Sequence, residues 1–430
     1  MHCLTNFKNF ARAELNLFEP LTVLLGRNGS GKTNLIEGVE LLATLAAGMP
    51  FSKITDEGRG GSFEVRGGLR SCVRFGSQRF GLRFNQARVG GQLVDYSIQV
   101  AVSGRNDVHL AAESLKIGQR FVFDGVYSDG DLMKIKYDNF SRGPNPTCTL
   151  SASRSVLSRY EEVIRNSRSK AAGLRTSSRT VEGVRRHLRN SYIFDPQPKA
   201  MREYARVESS PQLLHSGANL SAVLFSLREF NEEPHSALER ITEIVRQIPE
   251  EPFTAIDFVE TSLGDVMAGF VPDHGTGTNG TKLVDARILS DGTLRMLAIV
   301  TALETVPDRS RIVIEEFDNG LHPSRAKLLV GALAEAARRR NLNVFVTTHN
   351  PAFMDALDEK QLNSVVICHS DDSEGGSKAT RLADMDIAST VGLRGGLGDF
   401  VTRGALERHL APDFAKRRAE ETREWLASLP

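Results

Sequence analysis

Near the N-terminus, apolar and polar residues alternate in Glu14-Leu15-Asn16-Leu17 and in Leu21-Thr22-Val23-Leu24-Leu25. A period of two predicts two short strands. The period then changes. Leu35, Val39, Leu42 and Leu45 recur at helical spacing and predict a helix from about Lys32 to Ala47. Between 71 and 137, alternating pieces such as Arg79-Phe80-Gly81-Leu82-Arg83-Phe84 and Tyr96-Ser97-Ile98-Gln99-Val100 are punctuated by Gly, Asn and Asp, the pattern of an antiparallel sheet. Residues 151–210 turn helical, with polar breaks. From about Phe253, strand and helix patterns alternate in the order of an α/β sheet. Arg311–Ile314, Asn343–Thr347 and 365–368 read as buried strands, 323–340 as an amphipathic helix with Pro in its first turn, and 351–357 as a short helix. The Ser-, Gly- and Asp-rich segment 370–378 is expected to be an exposed loop, and 411–429 a charged helix.

These changes divide the chain into four parts. Residues 1–150 form an N-terminal lobe, 151–215 an inserted helical basic segment, 216–400 a C-terminal lobe, and 401–430 a helical tail. A length of 430 residues with 40% hydrophobic residues is enough for two or three domains with sizeable cores. The net charge of +1 gives no global electrostatic argument for a nucleic-acid partner. The exception is local: residues 151–210 carry thirteen Arg and Lys against six Asp and Glu. That excess fits either a solvated helical face or a surface for nucleic acid or an acidic partner. Four cysteines, at 3, 72, 148 and 368, form no C-x-x-C pair and fit a reducing compartment. No apolar run approaches the length of a membrane span, so a soluble cytoplasmic protein is expected.

The sharpest chemical signal is Gly26-Arg27-Asn28-Gly29-Ser30-Gly31-Lys32-Thr33, which matches G-x-x-x-x-G-K-[ST] and lies between an apolar run and a helical pattern. Inward-turned backbone N–H groups and a helix N-terminus together make an anion site. Lys32 is expected to reach the β- and γ-phosphates of a nucleoside triphosphate, with Asn34 flanking the loop and the Thr33 hydroxyl taking one Mg²⁺ position. Three further motifs follow in the second α/β segment. Ser290-Asp291-Gly292-Thr293 precedes a helical run, a second Gly-containing helix start. Arg311-Ile312-Val313-Ile314-Glu315-Glu316 is an apolar strand ending in two acids, at the sheet edge where α/β folds bind ligands. Its register makes Glu315 the metal-side acid and Glu316 the base that orients the attacking water. Phe345-Val346-Thr347-Thr348-His349 ends a further strand in a histidine placed to sense a γ-phosphate.

In this order, GRNGSGKT, LSDGT, IVIEEF, NGLHP and VTTHN resemble the ABC-type ATPases of the soluble RecF, SMC and OLD-like branch. Asn6-Phe7-Lys8-Asn9-Phe10 and the P-loop look RecF-like, whereas Gly217-Ala218-Asn219-Leu220, LSDGTLR and Gly320-Leu321-His322-Pro323 look like the AAA-family "ATPase 21" proteins of bacterial defence and toxin-like systems. The resemblance covers about residues 1–50 and 215–410. It implies an α/β P-loop head, a mixed sheet with helices, interrupted by the basic insertion. It also implies a homodimer that sandwiches two ATP with Mg²⁺, Ser290 and Gly292 of one protomer meeting the γ-phosphate held by Lys32 of the other. Gln78, Gln86 and Gln92 are candidates for the family's coupling glutamine. Two roles are expected from the resemblance: a sensor subunit of an anti-phage complex whose effector is a separate protein, or a RecF-like DNA clamp using 151–210. The long separation of Thr33 from Ser290 disfavours a transporter subunit and leaves no room for SMC-type arms.

Overall fold

The computed structural model describes residues 1–410, except 17–18, 57–62, 104–106, 141, 166–171, 208–211, 231–235, 249–252, 273–282, 372–374 and 386–395, together with Arg423. Its chain forms two units of interleaved segments. The first holds Met1–Phe18, Arg27–Ser191 and Cys368–Ala379, and the second Glu19–Gly26, Tyr192–Ile367 and Thr380–Pro430.

In the first unit the period-two segments become an antiparallel sheet. Its spatial order is Thr147–Ser151, Leu132–Tyr137, Arg120–Tyr127, Asp107–Ile117, Gln92–Ser103, Arg79–Val89, His2–Phe7 and Phe10–Leu15. Alternation fixes the register, since a slip of one residue would turn Phe80, Leu82 and Phe84 to solvent. Helix Lys32–Ala47 packs on one face so closely that a Cβ on Gly38 would lie 2.8 Å from Leu4. Helix Ala172–Arg189 buries Leu174, Val181, Val184 and Leu188 and exposes Arg175, Arg179, Arg186 and Arg189 along one stripe. In the same unit the carboxylate of Glu113, 1% exposed, collects four donors. Tyr96 Oη donates at 3.0 Å, Ser155 Oγ at 2.8 Å, and the N–H groups of Val156 and Leu157 at 2.6 and 2.8 Å. Those bonds tie the sheet to the turn that begins the helical segment.

The second unit has a parallel core. Arg311–Ile314 pairs in parallel with Asn343–Thr347, and that strand with Leu21–Gly26. Ser191–Phe194 lies outside Arg311–Ile314 and Val365–Asp371 beyond Leu21–Gly26. Helix Asp291–Thr305 is buried on nearly every side, as its lack of a polar stripe requires. Ala326–Arg340 is amphipathic and covers the same strands through Leu329, Val330 and Leu333. Each such fully buried leucine contributes about 1.5–3 kcal/mol.

The α/β expectation therefore holds, with local corrections. There are three N-terminal strands rather than two. His2–Phe7 was hidden because its residues do not alternate cleanly, and the second strand, Phe10–Leu15, begins before the segment read as one. The α/β alternation starts at Asp291 rather than Phe253. Strands Phe253–Glu260 and Asp265–Pro272 form an antiparallel hairpin in a separate small sheet with Ala205–Arg206 and Val284–Asp285, because periodicity marks a strand but not its partner. The segment 370–378 is not one exposed loop: Val365–Asp371 and Gly376–Arg381 are strands that extend into it. The predicted helix 411–429 lies outside the described residues except for Arg423. Among the described residues no helix is long and apolar enough to cross a membrane.

Glu113→Ala leaves four donors without an acceptor and is expected to cost about 3–5 kcal/mol, against about 1 kcal/mol for Glu113→Gln. Burial raises this carboxyl above its ordinary 4.5, while its donors pull it back. The native carboxyl therefore keeps its proton to higher pH than the unfolded one. Its contribution is complete below about pH 4.5 and is lost as pH rises through the native value. Denaturant titrations across pH should show wild-type stability falling relative to Glu113→Gln as pH rises; a constant difference contradicts the assignment.

Candidate nucleotide-binding site

The parallel register of the second unit aligns three strand ends. Ile314 lies beside Val346, Val346 beside Val23, and Thr347 beside Leu24. The residues that follow therefore leave the sheet at one edge: Glu315 and Glu316 after the first strand, Thr348 and His349 after the second, and Gly26 with the start of the P-loop after the third. Ligands in open α/β sheets bind outside such carboxyl ends.

From Gly26 the chain runs through exposed Arg27, Asn28 and Gly29 and buried Ser30 into helix Lys32–Ala47. Gly31 precedes the helix at φ +101°, where a Cβ would also lie 2.8 Å from Asn9 Nδ2 and the Phe10 ring. Only glycine meets both demands. No side chain caps this helix start. The Ser30 hydroxyl is buried without a hydrogen-bond partner, which is unusual for a native interior. Lys32 Nζ folds back to donate to the Arg27 carbonyl at 3.1 Å. Its charge also opposes burial at Cys368, whose thiol is pushed up to about 12. Asn34 Nδ2 donates to Asn9 Oδ1 at 2.7 Å, and Arg66 Nη2 to Asn34 Oδ1 at 3.2 Å. Glu37 holds both Lys8 and Arg66. Lys8, Asn9, Arg66, Arg74 and the fully exposed Phe75 line a cavity of about 620 Å³ in this unit.

In the second unit, Glu315 and Glu316 stand on a tight turn just beyond the strand. Glu316 takes φ +44°, and its N–H donates to Thr347 Oγ1 at 2.8 Å. Asn319 Nδ2 approaches Glu316 Oε2 at 3.3 Å. Asp318 is buried and accepts from Thr348 Oγ1 at 2.5 Å. Burial raises the Asp318 carboxyl above its ordinary range, against the opposing pull of Thr348 and the nearby His349. His349 itself is exposed, and the Thr348 N–H donates to the Leu24 carbonyl at 3.3 Å, joining the histidine turn to the P-loop strand.

Ser290 caps helix Asp291–Thr305 by accepting from the Thr293 N–H at 3.2 Å. Asp291 is exposed and paired with Arg202, which donates at 2.6 Å and also bonds the Leu289 carbonyl at 2.9 Å. One residue of the basic stretch thus braces the Ser290 turn. Gly292 is buried against the acid turn, where a Cβ would lie 2.7 Å from the Gly320 carbonyl. Glu315, Glu316, His349 and Ser290–Thr293 accordingly share one unit, with the acid and Ser290 turns in contact. Among the described residues no group of three or more His, Cys, Asp or Glu could hold a metal alone.

A family model described as "AAA domain, putative AbiEii toxin, Type IV TA system" matches residues 134–355, just over half of the chain. The chain belongs to this AAA family. A second AAA-domain model matches residues 4–130 of the AAA protein. Curated relatives include RecF proteins. The DNA replication and repair protein RecF of Anaeromyxobacter dehalogenans 2CP-1 is 30% identical over 189 residues, 41% of this chain and 45% of that protein. RecF of Gloeobacter violaceus is 54% identical over 41 residues, 10% and 11% of the two chains. The AAA protein thus matches less than half the length of these relatives. Among solved structures, an SMC head bound to the C-winged helix domain of ScpA has a TM-score of 0.47 at 12% identity, covering 88% of this chain and 96% of that one. The SMC head domain from Thermotoga maritima has a TM-score of 0.41 at 15% identity, covering 88% and 97%. The family match and the partial RecF matches place the chain among ABC-type ATPases similar to RecF.

Sequence reasoning missed Arg66, Arg202, Arg325 and Thr348. The three arginines carry no pattern that separates them from the other basic residues. Thr348 stood beside the recognised His349, but only the fold reveals its bond to Asp318. Gln92, a coupling candidate, lies at a hairpin tip and accepts from Thr180 Oγ1 at 3.2 Å.

Gly292→Ala must displace the Gly320 carbonyl and is expected to cost about 1–3 kcal/mol. Gly331→Ala, inside helix Ala326–Arg340 with nothing within 4 Å of the new methyl, should instead stabilise by about 0.5–1 kcal/mol. Thermal melts of the two variants shifting in the same direction would contradict the packing described for the Ser290 turn.

Proposed function

We propose that this chain binds and hydrolyses ATP, dimerises around it, and acts in the cytoplasm as the sensor or regulatory subunit of a bacterial anti-phage complex with a separate effector. The observation carrying the ATPase reading is the P-loop itself: a helix start with no side-chain cap and an orphaned, buried Ser30 hydroxyl. The N–H groups around Gly29–Asn34 cradle the phosphates, and Lys32 leaves the Arg27 carbonyl for the β- and γ-phosphates. Thr33 and Glu315 would each offer an oxygen to Mg²⁺, which would neutralise phosphate charge. Glu316, steered by Asn319, orients the attacking water, and His349 hydrogen-bonds the γ-phosphate. The cavity beside Asn9 and Phe75 offers an aromatic face and an amide to the base. Ser290 and Gly292 meet the nucleotide held by the second protomer.

The defence role is supported by the family's toxin–antitoxin description and by the LSDGT spelling. A RecF-like DNA clamp is the second reading. The names of the curated relatives and the exposed stripe of Arg175, Arg179, Arg186 and Arg189 favour it.

Lys32→Ala should weaken ATP binding at least about a hundredfold, whereas Glu316→Gln should keep ATP bound and accumulate the dimer. Light scattering with saturating MgATP checks both, and a Glu316→Gln protein that stays monomeric sinks the sandwich. Turnover with and without duplex DNA separates the two roles. Stimulation that falls steeply with salt and disappears in Arg179→Glu/Arg186→Glu assigns the clamp; turnover indifferent to DNA assigns a protein trigger.

A further inference from the structure

On the sandwich reading, the Ser290 turn and the acid turn serve different nucleotides, one held by the partner and one by the chain itself. Inside one chain they are joined by a short polar path. Ser290 Oγ lies 2.8 Å from Thr293 Oγ1, which accepts from Arg325 Nη1 at 2.9 Å. Arg325 is only 4% exposed and follows directly on the acid turn, its N–H donating to the His322 carbonyl at 3.0 Å. Beside this bond, a Cβ on Gly292 would lie 2.7 Å from the Gly320 carbonyl and 3.4 Å from Arg325 Nη1. Gly320 sits in the turn closed by the Leu321 N–H on the Asp318 carbonyl at 3.1 Å; this turn overlaps the one closed by the Asn319 N–H on the Glu316 carbonyl at 2.8 Å, and Asn319 also reaches the Glu316 carboxylate. Interiors packed this closely switch between discrete arrangements rather than deform smoothly. A shift at Ser290 must therefore move the acid turn or break a charged hydrogen bond.

We infer that Arg325 is a positioning residue that couples the Ser290 turn to the acid turn, so that engagement of the second nucleotide sets the Glu316 carboxylate over the first. This rests on the ATP-sandwich reading above. Arg325 acts through Thr293 and Gly320 and touches neither nucleotide. A guanidinium suits the task because its planar fork fixes direction, which an ammonium does not.

The test uses the full chain and MgATP, with Arg325→Met, Arg325→Lys, Thr293→Val and the Arg325→Met/Thr293→Val double variant. Equilibrium MgATP affinity, kcat and the Hill coefficient of turnover are measured, with melting temperature confirming folding. Wild type should show a Hill coefficient above 1. Thr293→Val and Arg325→Met should keep MgATP affinity within about twofold, lose about tenfold in kcat and become non-cooperative, with Arg325→Lys restoring part of the loss. The double variant should be no worse than the worse single, because both remove the Arg325–Thr293 bond. If Arg325→Met is too unstable to assay, Thr293→Val carries the test, since it removes the acceptor and leaves the buried cation in place. A folded Thr293→Val with wild-type kcat and cooperativity overturns the coupling, as does a non-cooperative wild type or a loss of MgATP affinity that matches the loss in kcat. Lys32→Ala run in parallel identifies the other failure: unchanged MgATP binding there overturns the nucleotide site itself.

Discussion

The parallel register running from Ile314 through Val346 to Val23 is the constraint on which the candidate site depends. Each strand is buried on both faces, so none can slide without exposing a row of Val, Ile and Leu. With the register locked, the chain must leave all three strands at one edge. Glu316, His349 and Gly26 are thereby brought to that edge from three distant stretches of sequence. No contact among their side chains is needed to explain the placement.

Precision at that edge comes from buried polar groups. Asp318, Thr348 and the Leu24 carbonyl link the acid turn, the histidine turn and the P-loop strand, while Thr347 holds Glu316 in a backbone conformation that costs energy for a residue with a side chain. The burial of Asp318 and its raised carboxyl mark it as part of the frame. The Ser290 turn is braced likewise, by Arg202 from outside and Arg325 from beneath. Such networks are strong when complete and costly when one member is lost.

The basic stretch separates into residues with different work. Val181, Val184 and Leu188 make helix Ala172–Arg189 part of the core of the first unit, and Arg202 serves the Ser290 turn in the second. The exposed arginines at 175, 179, 186 and 189 form one stripe open to a partner, and Arg154, Arg165, Lys199 and Arg206 are exposed elsewhere in the stretch. The choice between an anti-phage sensor and a DNA clamp therefore turns on these exposed residues rather than on the whole charge excess.

Several elements were legible from local pattern alone. The helix Lys32–Ala47 and the strands Arg311–Ile314 and Asn343–Thr347 lie where spacing put them, because burial on one face imposes a period that survives in the residues themselves. The P-loop was legible because its backbone demands glycine at positions such as Gly31, where φ and crowding both exclude a side chain. Partnership was not legible. Nothing local distinguishes the hairpin Phe253–Pro272 from strands of the main sheet, or Arg325 from an exposed arginine. Strand pairing and the burial of a charge are settled by residues far away in the chain. Sequence by itself determined the chemistry available at this site; the tertiary structure decided which groups stand together, because only packing brings distant segments within reach of a hydrogen bond.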